Sequence, residues 1–324
     1  MHSLTGKKIL FICPKFYNYH QIIISNLKSL GAEVFYFADL GEEYLTKFVS
    51  KNKFLKKEYL VIKQKFLFEK IIRTKYDFIF VVRGEIITEK FIKKIKSRNF
   101  NSKLILYEWD SISNFNYLNI SYYFDKVFSF DKYDCNEYPH IKYLPLFFSN
   151  LTLEKRFCNK LDKDNIDLLF VGGWHSDRLE ILSAIENIAI QNKWSYHFHL
   201  YVPLLFYLKY LLLNEFKYKS FIKFTKKSIK QVEKLISKSN VIIDINNINQ
   251  KALTIRTFEA LSMGKKIITT NKHIKEEPFY KDSYILIIDR ESIFIDKEFI
   301  QRESNFYDMK EYSIKNWLKI IYDL

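Results

Sequence analysis

Six short apolar runs, separated by amphipathic or polar stretches, fill the first 146 residues, and this alternation leaves few folds open. KKILFICP (7–14), AEVFYFA (32–38), YDFIFVVRG (76–84), KLILYEWD (103–110), KVFSFD (126–131) and IKYLPL (141–146) read as strands. Helices are predicted over 18–30, ended by Gly31, over 47–75, and from Thr88. Strands that are apolar at successive positions are covered on both faces, which implies a parallel sheet between two layers of helices. Residues 149–165 break the rhythm with a polar, charged stretch. The alternation then resumes, with strands over 166–173, 195–202, 240–245, 265–270 and 284–289. Helices are expected over 178–192, 228–239, 254–263, ended by Gly264, and 308–324. The expected fold is α/β: two doubly wound, Rossmann-like domains facing across a cleft. The first spans 1–150, a linker 151–165 and the second 166–305. Ligands of open parallel sheets sit beyond the carboxyl ends of the strands, so the residues just after strands are the candidates for function.

Composition removes other classes. At 48% hydrophobic, with seven glycines and five prolines in 324 residues, the chain is neither collagen-like nor disordered. Its longest apolar run, 202–213, falls short of the ~20 residues that span a bilayer and contains Lys209. The amino terminus runs straight into a strand without signal-peptide spacing. Cys13, Cys135 and Cys158 show neither metal-ligand spacing nor a disulfide framework, so a reducing cytoplasm is expected. The net charge is +15, and only eight of the 52 basic residues are arginine. The excess concentrates in 47–75 (ten basic, two acidic) and 209–234 (eight basic, two acidic), both with aromatics and leucines at roughly helical spacing. Such stretches are either solvated helix faces or docking faces for an anionic membrane surface.

The densest chemistry lies in IDINNINQKALTIRTFEALSMGKKIITTN (243–271). Asp244 ends a strand; Asn246, Asn247, Asn249 and Gln250 make a polar loop; Thr254 is placed to cap the helix that follows. A helix N-terminus behind a polar loop attracts anions through its free N–H groups and dipole. Arg256 can clamp a diphosphate there, and Glu259, one turn on, can accept from ribose hydroxyls. The alternative is a plain i,i+3 ion pair between them, with Phe258 and Leu261 as core. Gly172 and Gly173 end a strand and permit close backbone approach, or simply form a tight turn. His175 and Arg178 follow as phosphate partners or loop residues, with Ser176 or Asp177 as the cap of the next helix. In the first half, Arg83, Glu85, Glu108, Trp109, Asp110 and Asp131 lie just after strands, and His20 lies at the start of the first helix. Asp110 is the first choice for a catalytic base and His20 the second. A capping or packing role competes for each.

TIRTFEALSMGKKIITTN resembles the nucleotide-sugar motif of two-domain glycosyltransferases of the GT-B fold, an Arg-Xaa-Phe-Glu-Ala helix followed by Gly and a strand ending in Thr or Asn. VGGWHSDRLEIL (171–182) is similar, more loosely, to the turn opening their donor domain. The likeness is greatest to transferases of the capsule, lipopolysaccharide and spore-coat type. It implies a donor domain binding the nucleotide sugar through Gly172, Gly173, His175, Arg178, Asn247, Lys251, Thr254, Arg256 and Glu259, with Glu259 on the ribose and Arg256 at a phosphate. It implies an acceptor side on the first domain, where Arg83 and Glu85 after the third strand and the base candidates Asp110 and His20 lie, and a terminal helix over 306–324 packing back on that domain. The sequence departs from the family at two places. Lys251 stands where retaining members often carry a second glutamate, and no glycine follows the first strand, which runs into PKFYNYHQ.

No phosphate-loop, HExxH, CxxC, GxSxG or Asp-Xaa-Asp motif is present, so no cofactor and no essential metal are expected. Two histidines alternating on a strand, His197 and His199, are a weak metal signal without further ligands. The expected partners are a nucleotide sugar, a glycan or lipid-linked acceptor and, peripherally, an anionic membrane at its inner face; no nucleic acid is expected. A nucleotide-sugar epimerase of the same fold, a basic nucleic-acid-binding protein and a two-lobed ligand-binding protein are the alternatives.

Overall fold

The computed structural model describes residues 3–16, 18–39, 53–71, 74–149, 165–212, 219–303 and 307–324. Cys158 and the linker expected over 151–165, apart from Asn165, lie outside them, as do residues 47–52 and 72–73 of the basic stretch 47–75 and residues 213–218 of the basic stretch 209–234. The chain divides into two compact units. One comprises Met1–Leu146 with Ile314–Leu324, the other Phe147–Ser313.

The first unit runs β1 (Lys8–Cys13), α1 (Tyr19–Ser29), β2 (Glu33–Ala38), α2 (Lys53–Ile71), β3 (Phe78–Val82), α3 (Glu89–Arg98), β4 (Lys103–Glu108), α4 (Leu118–Ser121), β5 (Lys126–Ser129), α5 (Lys132–Glu137) and β6 (Ile141–Tyr143). Its six strands are all parallel, in the order β2-β1-β3-β4-β5-β6. The second unit runs β7 (Ile166–Gly173), α6 (Arg178–Gln191), β8 (Tyr196–Tyr201), α7 (Leu204–Leu212), β9 (Ile222–Lys223), α8 (Ile229–Ser237), β10 (Ser239–Asp244), α9 (Ile255–Ser262), β11 (Lys266–Thr269), β12 (Ile285–Ile287) and α10 (Lys297–Gln301). Its six parallel strands take the order β12-β11-β10-β7-β8-β9. Both units are Rossmann-like, since parallel strands need helical crossovers and those crossovers cover both faces.

Alternate residues of each strand serve opposite layers. Ile79, Val81, Leu104 and Leu106 join Phe91, Ile92 and Ile95 of α3 in one buried cluster. Phe78, Phe80 and Tyr107 point the other way, onto the terminal helix α11 (Ile314–Tyr322). Trp317 meets Tyr107 edge-on at 4.7 Å and Phe80 at 6.0 Å, and Tyr322 meets Phe78 edge-on at 5.0 Å. α11 is therefore a layer of the first unit, reached after the chain has built the second.

Side-chain caps define several helix starts. Thr88 accepts from the Phe91 N–H, Asp131 from the Tyr133 N–H, and Ser228 and Gln231 form a reciprocal capping box. The terminal helix is shorter than the expected 308–324, because Ser313 is extended and bridges Phe148 as a strand residue. The helices α4, α5, α7 and α10 and the strand β9 were not expected; all but the nine-residue α7 are shorter than the periodicity that would reveal them.

Candidate active site

The second unit has a topological switch between β7 and β10, where the chain turns from building one half of the sheet to building the other. Arg178 spans it. Its Nε donates to the Ile245 carbonyl at 2.8 Å and its Nη1 to the Gly173 carbonyl at 2.6 Å, while Nη2 also reaches Ile245. The guanidinium lies over the Phe170 ring, 5.5 Å from its centroid. A Cβ at position 172 would sit 2.8 Å from that ring and 3.0 Å from Nη1, which is why glycine is needed there; Gly173 has open space around it. Arg178 thus ties the ends of β7 and β10 together, with backbone carbonyls for partners.

Beyond β10, Asp244 is buried, and its Oδ2 accepts from the hydroxyls of Thr254 at 2.6 Å and Thr257 at 2.9 Å. Thr254 holds the N-cap position of α9 but makes no capping bond. Its hydroxyl is directed at the carboxylate, to which it donates a charge-assisted hydrogen bond, and not at the helix N–H groups. The consequence is that the N-terminus of α9 is fastened to the end of β10. Arg256 and Glu259 form the i,i+3 ion pair at 2.6 Å; Glu259 is 3% exposed and Arg256 21%. The connecting loop is held from both sides. Asn246 donates to the carbonyls of Asn247 and Gln250, and Asn271, after β11, donates to the carbonyls of Lys251 and Ala252. Asn247 accepts from the Asn249 N–H in a local turn, and Lys251 is exposed.

Arg290 completes the rim. Its Nη1 pairs with both oxygens of Asp177 at 2.5 and 2.7 Å. Its Nη2 donates to Asn246, backbone and side chain, at 2.8 Å, and to the Thr270 hydroxyl at 3.1 Å. Asp177 stands at the N-cap position of α6, yet its carboxylate serves Arg290 instead of the helix. Burial, with Arg178 beside it, lowers the His175 pKa to about 4, so the imidazole is neutral at pH 7. Sequence reasoning missed Arg290 and the holding roles of Asp244, Thr257, Asn246, Thr270 and Asn271. Arg290 directly follows a predicted strand, the same signal that marked the other candidates.

In the first unit Arg83 has φ of +70° and is followed by Gly84 at +68°, a left-handed corner directly after β3. Its guanidinium pairs with Glu85 at 3.2 Å and Asp110 at 3.3 Å, so three of the predicted residues meet. Asp39 supports the corner by accepting from the N–H groups of Glu85 and Ile86, each at 2.9 Å. Burial raises the Asp110 pKa against the opposing pull of Arg83. Glu108, at the end of β4, is fully buried, and neither carboxylate oxygen has a hydrogen-bond partner among the described residues; burial, with Asp110 and Asp39 nearby, raises its pKa far above the usual value. His20 is buried and stacked on Tyr36 at 5.1 Å, its pKa lowered by burial. Asp131 caps α5 and accepts from Ser111, and Trp109 packs against Phe16. A cavity of about 480 Å³ opens at the end of β2, lined by Lys15, Tyr36, Tyr59, Lys63 and Phe66 among others. His199 is bound to the Thr225 carbonyl, and no cluster of three metal-ligating side chains occurs among the described residues.

No protein-family model matches the sequence, and no curated protein matches it. Solved structures match over nearly its full length. The Candida albicans trehalose-6-phosphate phosphatase N-terminal domain aligns with a TM-score of 0.62 at 10% identity, covering 100% of this chain and 97% of that one. An alpha-glucosyltransferase in complex with UDP and a 13-mer DNA aligns with a TM-score of 0.58 at 12% identity, covering 97% and 95%. The Methanocaldococcus jannaschii UDP-GlcNAc 2-epimerase, bound to UDP-GlcNAc and UDP, aligns with a TM-score of 0.57 at 12% identity, covering 98% and 100%. At such identities the likeness is one of fold: two successive Rossmann-like domains of the kind found in GT-B glycosyltransferases and UDP-sugar epimerases.

Proposed function

We propose that the chain transfers a sugar from a nucleotide-sugar donor to a glycan or lipid-linked acceptor, with the second unit holding the donor. The observation that carries this is Glu259, 3% exposed and paired with Arg256, on a helix whose N-terminus is fastened to the end of β10 beside the β7/β10 switch. A buried carboxylate one turn into such a helix suits a ribose, and the helix start with Arg256 and Lys251 suits a diphosphate. The neighbours that carry UDP or UDP-GlcNAc on the same fold favour a uridine nucleotide.

In the transfer, the acceptor hydroxyl oxygen bonds to the anomeric carbon as the bond from that carbon to the diphosphate oxygen breaks. The electron pair leaves with the diphosphate, where Arg256, Lys251 and the α9 dipole stabilise it. The proton passes to a general base. Asp110 fills that role in our reading: burial makes it more basic and Arg83 fixes one of its oxygens. The Lys15/Lys63 cavity is a candidate berth for a phosphorylated acceptor.

The test is thermal denaturation against UDP, GDP, CMP and their sugar forms. A nucleotide at about 100 times its Kd stabilises by ~2.7 kcal/mol. A selective shift that disappears in Glu259→Ala supports the donor site; a cooperative melt that no nucleotide moves overturns it. Interconversion of the donor sugar without acceptor, followed by NMR, would assign epimerase chemistry instead.

A further inference from the structure

We propose that α7 (Leu204–Leu212) is an interfacial anchor, lying flat on an anionic lipid bilayer. Its sequence is LLFYLKYLL. At 3.6 residues per turn, Leu204, Leu205, Leu208, Leu211 and Leu212 fall within one stripe about 120° wide. In a water-soluble domain such a stripe faces the core. Here it faces outward: these leucines are 51%, 75%, 46%, 43% and 86% exposed, and Phe206 is 48% exposed. Tyr207 is buried, joining the core cluster of the second unit. The Tyr207 ring also meets Phe224 edge-on at 5.2 Å, and Phe224, 43% exposed, extends the apolar surface onto the segment after β9.

The surroundings of this stripe select the occupant. Lys223, which precedes Phe224, and Lys226 and Lys230, which follow it, are all exposed, and Lys226 holds its ammonium 5.4 Å from the centre of the Tyr201 ring. The stretch 209–234 carries eight basic residues against two acidic ones, Glu215 and Glu233. An outward leucine stripe on a strongly basic stretch of chain matches the acyl and anionic headgroup layers of a bilayer surface. Nine residues are too few to cross a bilayer, and no described helix is long and apolar enough to do so, so the helix lies in the interface. The inference rests on the proposed function only for its purpose, which is to bring the enzyme to a lipid-linked acceptor. Lipid binding is measured without donor, so either idea can fail alone.

The full chain is sedimented with vesicles of phosphatidylcholine alone and of equal parts phosphatidylcholine and phosphatidylglycerol, at low and high salt. Three variants accompany it: Leu205→Ser with Leu212→Ser, Lys223→Gln with Lys226→Gln, and Leu208→Trp. The expected result is binding to the anionic vesicles at least ~10-fold tighter than to the neutral ones. The double-serine variant loses it while keeping its melting temperature, and the double-glutamine variant binds several-fold more weakly. Fluorescence of the Leu208→Trp variant shifts blue and is quenched by brominated lipid. Absence of vesicle binding overturns the proposal, as does unchanged binding by the double-serine variant. A lipid-free dimer that the serine substitutions dissolve would also overturn it, by assigning the stripe to a second copy of the chain.

Discussion

Glu108 and Lys266 are buried ionisable side chains with opposite accommodations. Glu108 has no hydrogen-bond partner among the described residues, and burial keeps it protonated well above its usual range. Between the unfolded value near 4.5 and that higher folded value, the native state binds more protons than the unfolded one, so stability falls as pH rises. Glu108→Gln should flatten this slope, as urea unfolding across pH would show; an unchanged slope would mean that the carboxyl is ionised and partnered. Lys266 is 1% exposed and donates to the carbonyls of Phe299, Ile300 and Arg302 at the end of α10. Burial lowers its pKa to about 8 from 10.5. Over that window the unfolded state binds more protons, so stability should rise with pH, and Lys266→Met should remove the rise. The same substitution leaves buried carbonyls unmet, at a cost of about 2–3 kcal/mol measurable by urea unfolding. Of these residues only Glu108 stood out in the sequence, because it ends a strand. Lys266 lies within one, and no local pattern announces that three carbonyls from residues 299–302 will reach it.

Among the elements, the loops after β7, β10 and β11 converge on the guanidinium of Arg290 through Asp177, Asn246 and Thr270. Arg290→Gln should loosen all three together. For the donor site proposed above, nucleotide affinity should fall about 10- to 100-fold by calorimetric titration, the size of effect seen for groups that orient the ligands of a site, while far-ultraviolet circular dichroism stays unchanged. Unaltered affinity would show that the loops are held by other bonds. Strand ends, loop polarity and the Arg256–Glu259 spacing could be read from sequence because each is local. That Arg178 serves the Ile245 carbonyl, 67 positions away, and that Arg290 serves Asp177, 113 positions away, depend on which strands become neighbours.

For the molecule as a whole, the largest consequence lies at residues 314–324, which belong to the unit built from residues 1–146. Ile314, Trp317, Leu318, Ile321 and Tyr322 are each no more than 5% exposed. Burial of five such side chains is worth at most about 8–15 kcal/mol, comparable to the entire stability of a domain. Lys126 adds a bond to the Ile321 carbonyl at 3.0 Å and an ion pair with Asp323. A chain ending at Ser313 should therefore lose the calorimetric transition of the first unit and keep that of the second. Survival of both transitions would show that the strands of the first unit suffice without this layer.

Apolar runs alternating with amphipathic ones were enough to predict two parallel, doubly wound α/β domains, because periodicity is a property of a few consecutive residues and dictates which faces must be buried. It carries no record of the partner that buries them. Strand order, β2-β1-β3-β4-β5-β6 in one unit and β12-β11-β10-β7-β8-β9 in the other, emerges only when distant segments pair, and it places the switch between β7 and β10 at which Arg178 acts. Packing likewise decided that the leucines of α7 face outward while the apolar side chains of α11 face a sheet. Both helices are apolar on one side, and only the space already filled around each determines whether that side meets protein or is left exposed.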